Sequence, residues 1–349
     1  MRPVPATPGN TLPMRRLVKS AALGLAVAGV AAFCAGIIAP ACPASPVVDQ
    51  AKQLQRDGKT DQAQALLLDA LKQNPSDHEA DFFLAKLYMK QQAYDKAVEF
   101  AERAVKLADT VSVYHLWLAR ANLGKAMKSG MIGAFMSARR GRDEYERAIA
   151  LDPHNLEARF EVCMYYLIAP GVVGGSETKA KEHATVIQSQ SELYGSYAWA
   201  SYWERQKNLA QAESLLVKAT AIDTSSTNTA LYGLGYFYDR HGRPADAAGV
   251  FKQVLVKKPD DLMASYDLAS AYVDAKANLD EAEAALKKCL GASPVPQGPD
   301  EASVRWRLGL AYDLQGKTDS ALVELRKANE LAPGIKQFKD ALKQVEKKK

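Results

Sequence analysis

The residue types that commonly carry chemistry are present in this chain but do not converge in sequence. Five histidines, His78, His115, His154, His183 and His241, are scattered along 349 residues without a second histidine or cysteine at ligand spacing, which argues against a metal centre. Residues 171–176 are Gly-rich, yet they lack the Gly-Lys-Ser/Thr ending of a phosphate loop and follow no strand-like run. There is no Gly-x-Ser-x-Gly, no Cys–His pair stands out, and Asp260-Asp261 falls where a turn is expected. The sequence therefore predicts no catalytic residues, no metal and no cofactor. Of the four cysteines, Cys34 and Cys42 lie near the N-terminus, while Cys163 and Cys289 are too isolated to imply a disulfide framework. Both of the latter fall at small-residue packing positions and are expected to be buried, inert thiols.

The formal net charge is +5, and the excess is concentrated at the N-terminus. Residues 1–42 contain Arg2, Arg15, Arg16 and Lys19 and no acidic residue; the remainder is at about +1, without a basic stripe, so nucleic acid is not expected as a partner. Arg15, Arg16 and Lys19 precede an uninterrupted apolar run over residues 21–39, and Ala39 and Ala41 satisfy a small-x-small cleavage rule. The run is close to the roughly 20 residues that span a bilayer. Residues 1–42 are thus expected to be a cleaved signal peptide or a retained signal anchor, placing the chain in the periplasm or on the inner membrane facing it. A lipoprotein through Cys42 is a lesser variant. Membrane contact is expected only through this segment.

Past residue 44 the chain repeats itself at a period near 34 residues. One copy reads Leu234-Gly235, Tyr238, Gly242, Ala247, Phe251, Pro259; another reads Leu308-Gly309, Tyr312, Gly316, Ala321, Leu325, Ala328, Pro333. Between them stand Leu268-Ala269, Tyr272, Ala282, Leu286, Cys289 and Pro294, and worn copies occupy residues 44–77, 78–111 and 193–226. Small residues such as Gly235 and Ala247 allow close helix approach, Gly242 suits a tight turn, and Pro259 stops a helix. These residues resemble the tetratricopeptide repeat family over roughly 44–334. The resemblance implies an all-α fold: a right-handed superhelical solenoid of about eight helix pairs, with a C-terminal capping helix over 335–349 ending in lysines. It also implies a non-catalytic scaffold for protein partners.

In this family the first helix of each pair lines the concave side, and mapping that stripe gives Tyr194 and Tyr197, then Tyr232, Tyr236 and Arg240, then Tyr266, then Trp306, Arg307 and Leu310. Rings of this kind suit an extended peptide or an amphipathic helix. They are also ordinary packing residues, and they could stack on sugars, so the alternative function is an accessory glycan-binding or regulatory subunit of an envelope polysaccharide or secretion machine. The Lys and Asn clamp by which some relatives hold a C-terminal carboxylate is missing here. Residues 112–192 depart from the pattern. The third unit is about ten residues too long, its excess near 125–140 carrying Met127, Met131, Phe135 and Met136 as either packing residues or a second docking surface, with self-association one use of it. The fourth unit contains a Pro-Gly loop over residues 169–176, with Ser176 expected to cap the next helix.

Overall fold

The computed structural model describes residues 45–292 and 298–348, which form seventeen α-helices and one 3-10 turn, with no strand among the described residues. The expected signal or anchor segment, Pro294 and Lys349 lie outside the described residues. The helices come in eight pairs: α1 (Pro46–Arg56) with α2 (Thr60–Gln73), α3 (His78–Lys90) with α4 (Tyr94–Leu107), α5 (Ser112–Lys128) with α6 (Met131–Leu151), and α7 (Leu156–Ile168) with α8 (Glu177–Gln190). Then follow α9 (Glu192–Arg205) with α10 (Leu209–Ile222), α11 (Thr229–Arg240) with α12 (Pro244–Lys257), α13 (Leu262–Ala275) with α14 (Leu279–Gly291), and α15 (Glu301–Leu314) with α16 (Thr318–Leu331). A single helix, α17 (Lys336–Glu346), ends the array. No helix among the described residues is long and apolar enough to cross a membrane.

Local chemistry sets these boundaries. Asp77, Asn155, Asp261 and Asp300 cap the helices that follow them by accepting backbone N–H bonds at 2.9–3.1 Å, each such cap contributing about 1 kcal/mol. Within most pairs, the turn places one residue in the left-handed region. Gly242 fills it in the sharpest repeat at φ +69°, whereas the worn repeat at α9–α10 uses Lys207 at φ +61°.

The chain divides into two compact units, one ending at Leu215 and one beginning at Leu216, within α10. In the first, Leu67, Leu84, Leu87, Tyr88 and Phe100 form a core under α1–α4, and Tyr145, Cys163, Tyr166 and Ile187 form another under α5–α9. The third pair is lengthened as its spacing predicts, α5 having 17 residues and α6 having 21 where most others have 11–14. The Pro-Gly loop is packed: Val173 is buried, Tyr165 donates its hydroxyl to the Val173 carbonyl at 2.6 Å, and Ser176 caps α8. A Cβ on Gly175 would overlap the Ala169 carbonyl oxygen, so this position admits only glycine. In the second unit Phe237, Phe251, Leu286, Leu308 and Leu325 are fully buried, and Phe338 of α17 closes the end of the core against Ala302 and Ala328.

Candidate functional site

The 34-residue recurrence puts the predicted ring residues of the second unit on three successive first helices. Tyr232 and Tyr236 come from α11, Tyr266 from α13, and Trp306, Arg307 and Leu310 from α15; all six are partly exposed. Tyr232 and Tyr236 stand 5.9 Å apart by ring centroid and both lean on Phe251, at 6.1 and 5.7 Å. Each ring is therefore part of its repeat's packing as well as of the face. Arg307 holds Asp274 through Nη1 at 2.6 Å and lies over the Trp306 ring, 4.6 Å from its centroid. Trp306 rests on Phe338 at 5.4 Å, and its Nε1 is buried without a hydrogen-bond partner among the described residues. Such an orphaned donor is costly unless an acceptor reaches it.

The centre of this face is a carboxylate that the sequence stripe did not include. Tyr236 donates its hydroxyl to Asp267 Oδ2 at 2.8 Å. Burial is the main cause that pushes the Asp267 carboxyl up to about 7; Asp239 and Asp261 add to the rise, while the Tyr236 hydroxyl and Arg307 oppose it. Burial also pushes the Tyr236 and Tyr232 phenols well above their ordinary range, helped by Asp267 and Asp261 respectively. A signal for Asp267 existed: it follows Tyr266 directly and lies 31 residues after Tyr236, near the repeat period. Asp261, read from sequence as a turn residue, is indeed the cap of α13, accepting from Met263 and Ala264 N–H.

The remaining predicted residues are placed elsewhere. Arg240 is exposed at the end of α11. Tyr194 and Tyr197 belong to α9 in the first unit, where Tyr197 is buried and Tyr194 packs on Phe160 and Tyr197 at 6.3 and 6.4 Å. Met127, Met131 and Met136 are exposed at the shared end of α5 and α6, and Phe135 is half-buried beneath the Arg139 guanidinium, 4.7 Å from its centroid. Cys163 is buried and its thiol is pushed up to about 12 by desolvation; Cys289 is only half-buried, and burial pushes it up to about 11. Neither is poised as a nucleophile. Among the described residues, no group of three or more His, Cys, Asp or Glu is placed to hold a metal ion.

Sequence reasoning also missed a second polar cluster, in the first unit. Arg120 of α5 binds Glu157 and Glu161 of α7, and Tyr145 of α6 donates to Glu161 at 2.5 Å. Burial disfavours the Arg120 charge, but the two carboxylates more than offset it and hold the group above its ordinary range. The signal here is the i, i+4 pair Glu157 and Glu161 on one helix face.

Paired helices that recur with a glycine turn and carry polar groups on successive first helices define an all-α repeat protein of the interaction-scaffold class. The tetratricopeptide repeat profile matches residues 48–111, 197–261, 234–296 and 266–334, more than half of the chain, and the chain belongs to that family. No curated protein matches it. Among solved structures it is similar to a human IFIT1 dimer with PPP-AAAA, at 18% identity over 86% of this chain and 72% of that one, with a TM-score of 0.53. It is also similar to a tetratricopeptide repeat protein from Parabacteroides merdae, at 13% identity over 86% of this chain and 97% of that one, with a TM-score of 0.44. At these identities the likeness is one of fold.

Proposed function

We propose that the chain is a non-catalytic scaffold of the bacterial cell envelope whose second unit grips a peptide or helix of a partner protein across α11, α13 and α15. The observation that carries this reading is the clustering of Tyr232, Tyr236, Tyr266 and Trp306 around Asp267 and Arg307, with the buried Trp306 Nε1 left without an acceptor. Rings supply large contact area at low entropic cost, and a peptide carbonyl would satisfy the indole donor once docking turns the ring to expose it. The envelope location rests on residues 1–42, with their basic cluster, apolar run and small-residue exit. Because burial pushes the Asp267 carboxyl up to about 7, a partner presenting Lys or Arg to it should bind more tightly as pH rises toward that value.

The glycan-binding alternative requires open ring faces. Tyr232 and Tyr236 lean on Phe251, and Trp306 contacts both Phe338 and the Arg307 guanidinium, which favours the protein reading. Soluble oligosaccharide should therefore leave Trp fluorescence unchanged.

The test is site-specific photocrosslinking in cells with the full chain. A crosslinker at Leu310 or Arg240 should capture one defined partner that a crosslinker at Gln253, exposed on α12, does not. Trp306→Phe and Asp267→Asn should each weaken that partner's binding roughly tenfold. Equal capture from all three positions, or no change in the variants, would discard the reading.

A further inference from the structure

The lengthened third pair ends in a feature that neither repeat packing nor the second-unit face explains. The extra turns of α5 and α6 meet at Ser129-Gly130, and around this tip Met131 is 75% exposed, Ile132 79%, Met136 54% and Met127 39%. Beside them Val172 of the Pro-Gly loop is 64% exposed, and Arg139 Nη2 donates to its carbonyl at 2.9 Å. Met131, Ile132, Phe135 and Met136 occupy the first two turns of α6 at i, i+4 spacing, and Arg139 and Arg140 follow on the next turn.

The chain that builds the tip carries charge of one sign. Residues 110–142 contain Arg120, Lys125, Lys128, Arg139, Arg140 and Arg142 and no Asp or Glu. Lys125 is paired with Asp95 and Arg142 with Asp143. Lys128 donates only to the Gln92 carbonyl, Arg139 to that of Val172, and Arg140 is exposed at a recess it shares with Glu102, Asp143 and Glu144; among the described residues no carboxylate forms an ion pair with these three.

We propose that this tip is a membrane-surface contact, in which Met131, Ile132 and Met136 enter the headgroup region of anionic lipid and Lys128, Arg139 and Arg140 form a collar on the phosphates. An apolar end followed one turn later by cations that no carboxylate holds in an ion pair is the arrangement that interfacial helices use. A second copy is a poorer occupant, because a two-fold contact would set the same basic collar against itself. The tip adds to the N-terminal segment a separate place at which the chain meets lipid.

The experiment uses the full chain carrying Ile132→Trp, reconstituted in vesicles of phosphatidylcholine with or without phosphatidylglycerol, with acyl chains brominated as quenchers. The emission that the variant adds over the unsubstituted chain, which carries four native tryptophans, should shift to the blue and be quenched in the anionic vesicles, and the quenching should fade as salt is raised. A control Trp at Val256, which is 82% exposed on α12, should not be quenched. Arg139→Gln and Arg140→Gln should each lower the ratio of bound to free tip about fivefold. Identical emission in both vesicle types would overturn the proposal, as would equal quenching at Val256→Trp. A blue shift that follows protein concentration and ignores lipid would overturn it in favour of contact between copies.

Discussion

Both units tie neighbouring repeats with a carboxylate that accepts a tyrosine hydroxyl, and the two ties differ in one partner. In the first unit Glu161 receives Tyr145 and is also gripped by Arg120, which reaches Glu157 as well. In the second unit Asp267 receives Tyr236, but the nearby Arg307 is committed to Asp274, and other carboxylates, Asp239 and Asp261, add their repulsion. An arginine closed upon the carboxylate makes a structural tie; where none closes on it, burial is left to push the carboxyl up to about 7 on a partly exposed face. This difference separates a cluster compensated within the array from the one on which the proposed partner grip rests.

The largest expected effect comes from breaking the closed tie. Arg120→Met leaves Glu161 and Tyr145 facing each other without a cation, and should cost about 3–5 kcal/mol, read as a fall in the melting temperature. Replacing Glu157 and Glu161 by Gln in the same variant should recover much of the loss. Next comes close helix approach in the second unit. A Cβ at Gly235 would stand 2.7 Å from the Phe251 ring, so Gly235→Ala should cost about 1–3 kcal/mol. Gly249, on the same pair with nothing within 4 Å, should instead gain about 0.5–1 kcal/mol as Ala, in denaturant titration.

The open tie makes a prediction in pH. Asp267 is raised in the folded chain from its ordinary 3.8 to about 7, so between these values the folded state binds more protons than the unfolded one. The contribution is complete below about pH 4 and is lost as pH rises through 7. Asp267→Asn should flatten this slope in melts taken across that window, whereas Arg120→Met should leave it. A comparably small effect is at a turn: Lys207→Gly should relieve the left-handed strain and stabilise by about 1 kcal/mol, bringing the α9–α10 turn to the state Gly242 already occupies.

Much of the fold was legible because its signals are local. Gly242, Pro259 and the Ala-x-x-x-Phe spacing of Ala247 and Phe251 mark turn, stop and close approach within a few residues of each other, and they fall in the structure where the pattern puts them. The overlength of the third unit was also countable. The stripe on α11, α13 and α15 was readable residue by residue, yet its chemical centre was not, because Asp267 owes its character to burial among packed helices and accepts from Tyr236, 31 residues away. The stripe also extended to Tyr194 and Tyr197, which periodicity alone could not distinguish from packing residues; Tyr197 is buried in the first unit.

The sequence by itself determined the repeat, its helix pairs and their turns, since backbone preference and 3.6-residue periodicity act between near neighbours. Tertiary structure alone decided which carboxylate meets an arginine and which does not, and whether the methionines of the third pair face protein or solvent. Those outcomes depend on contacts such as Arg120 to Glu161, 41 residues apart, and on how much water each group loses when the helices pack.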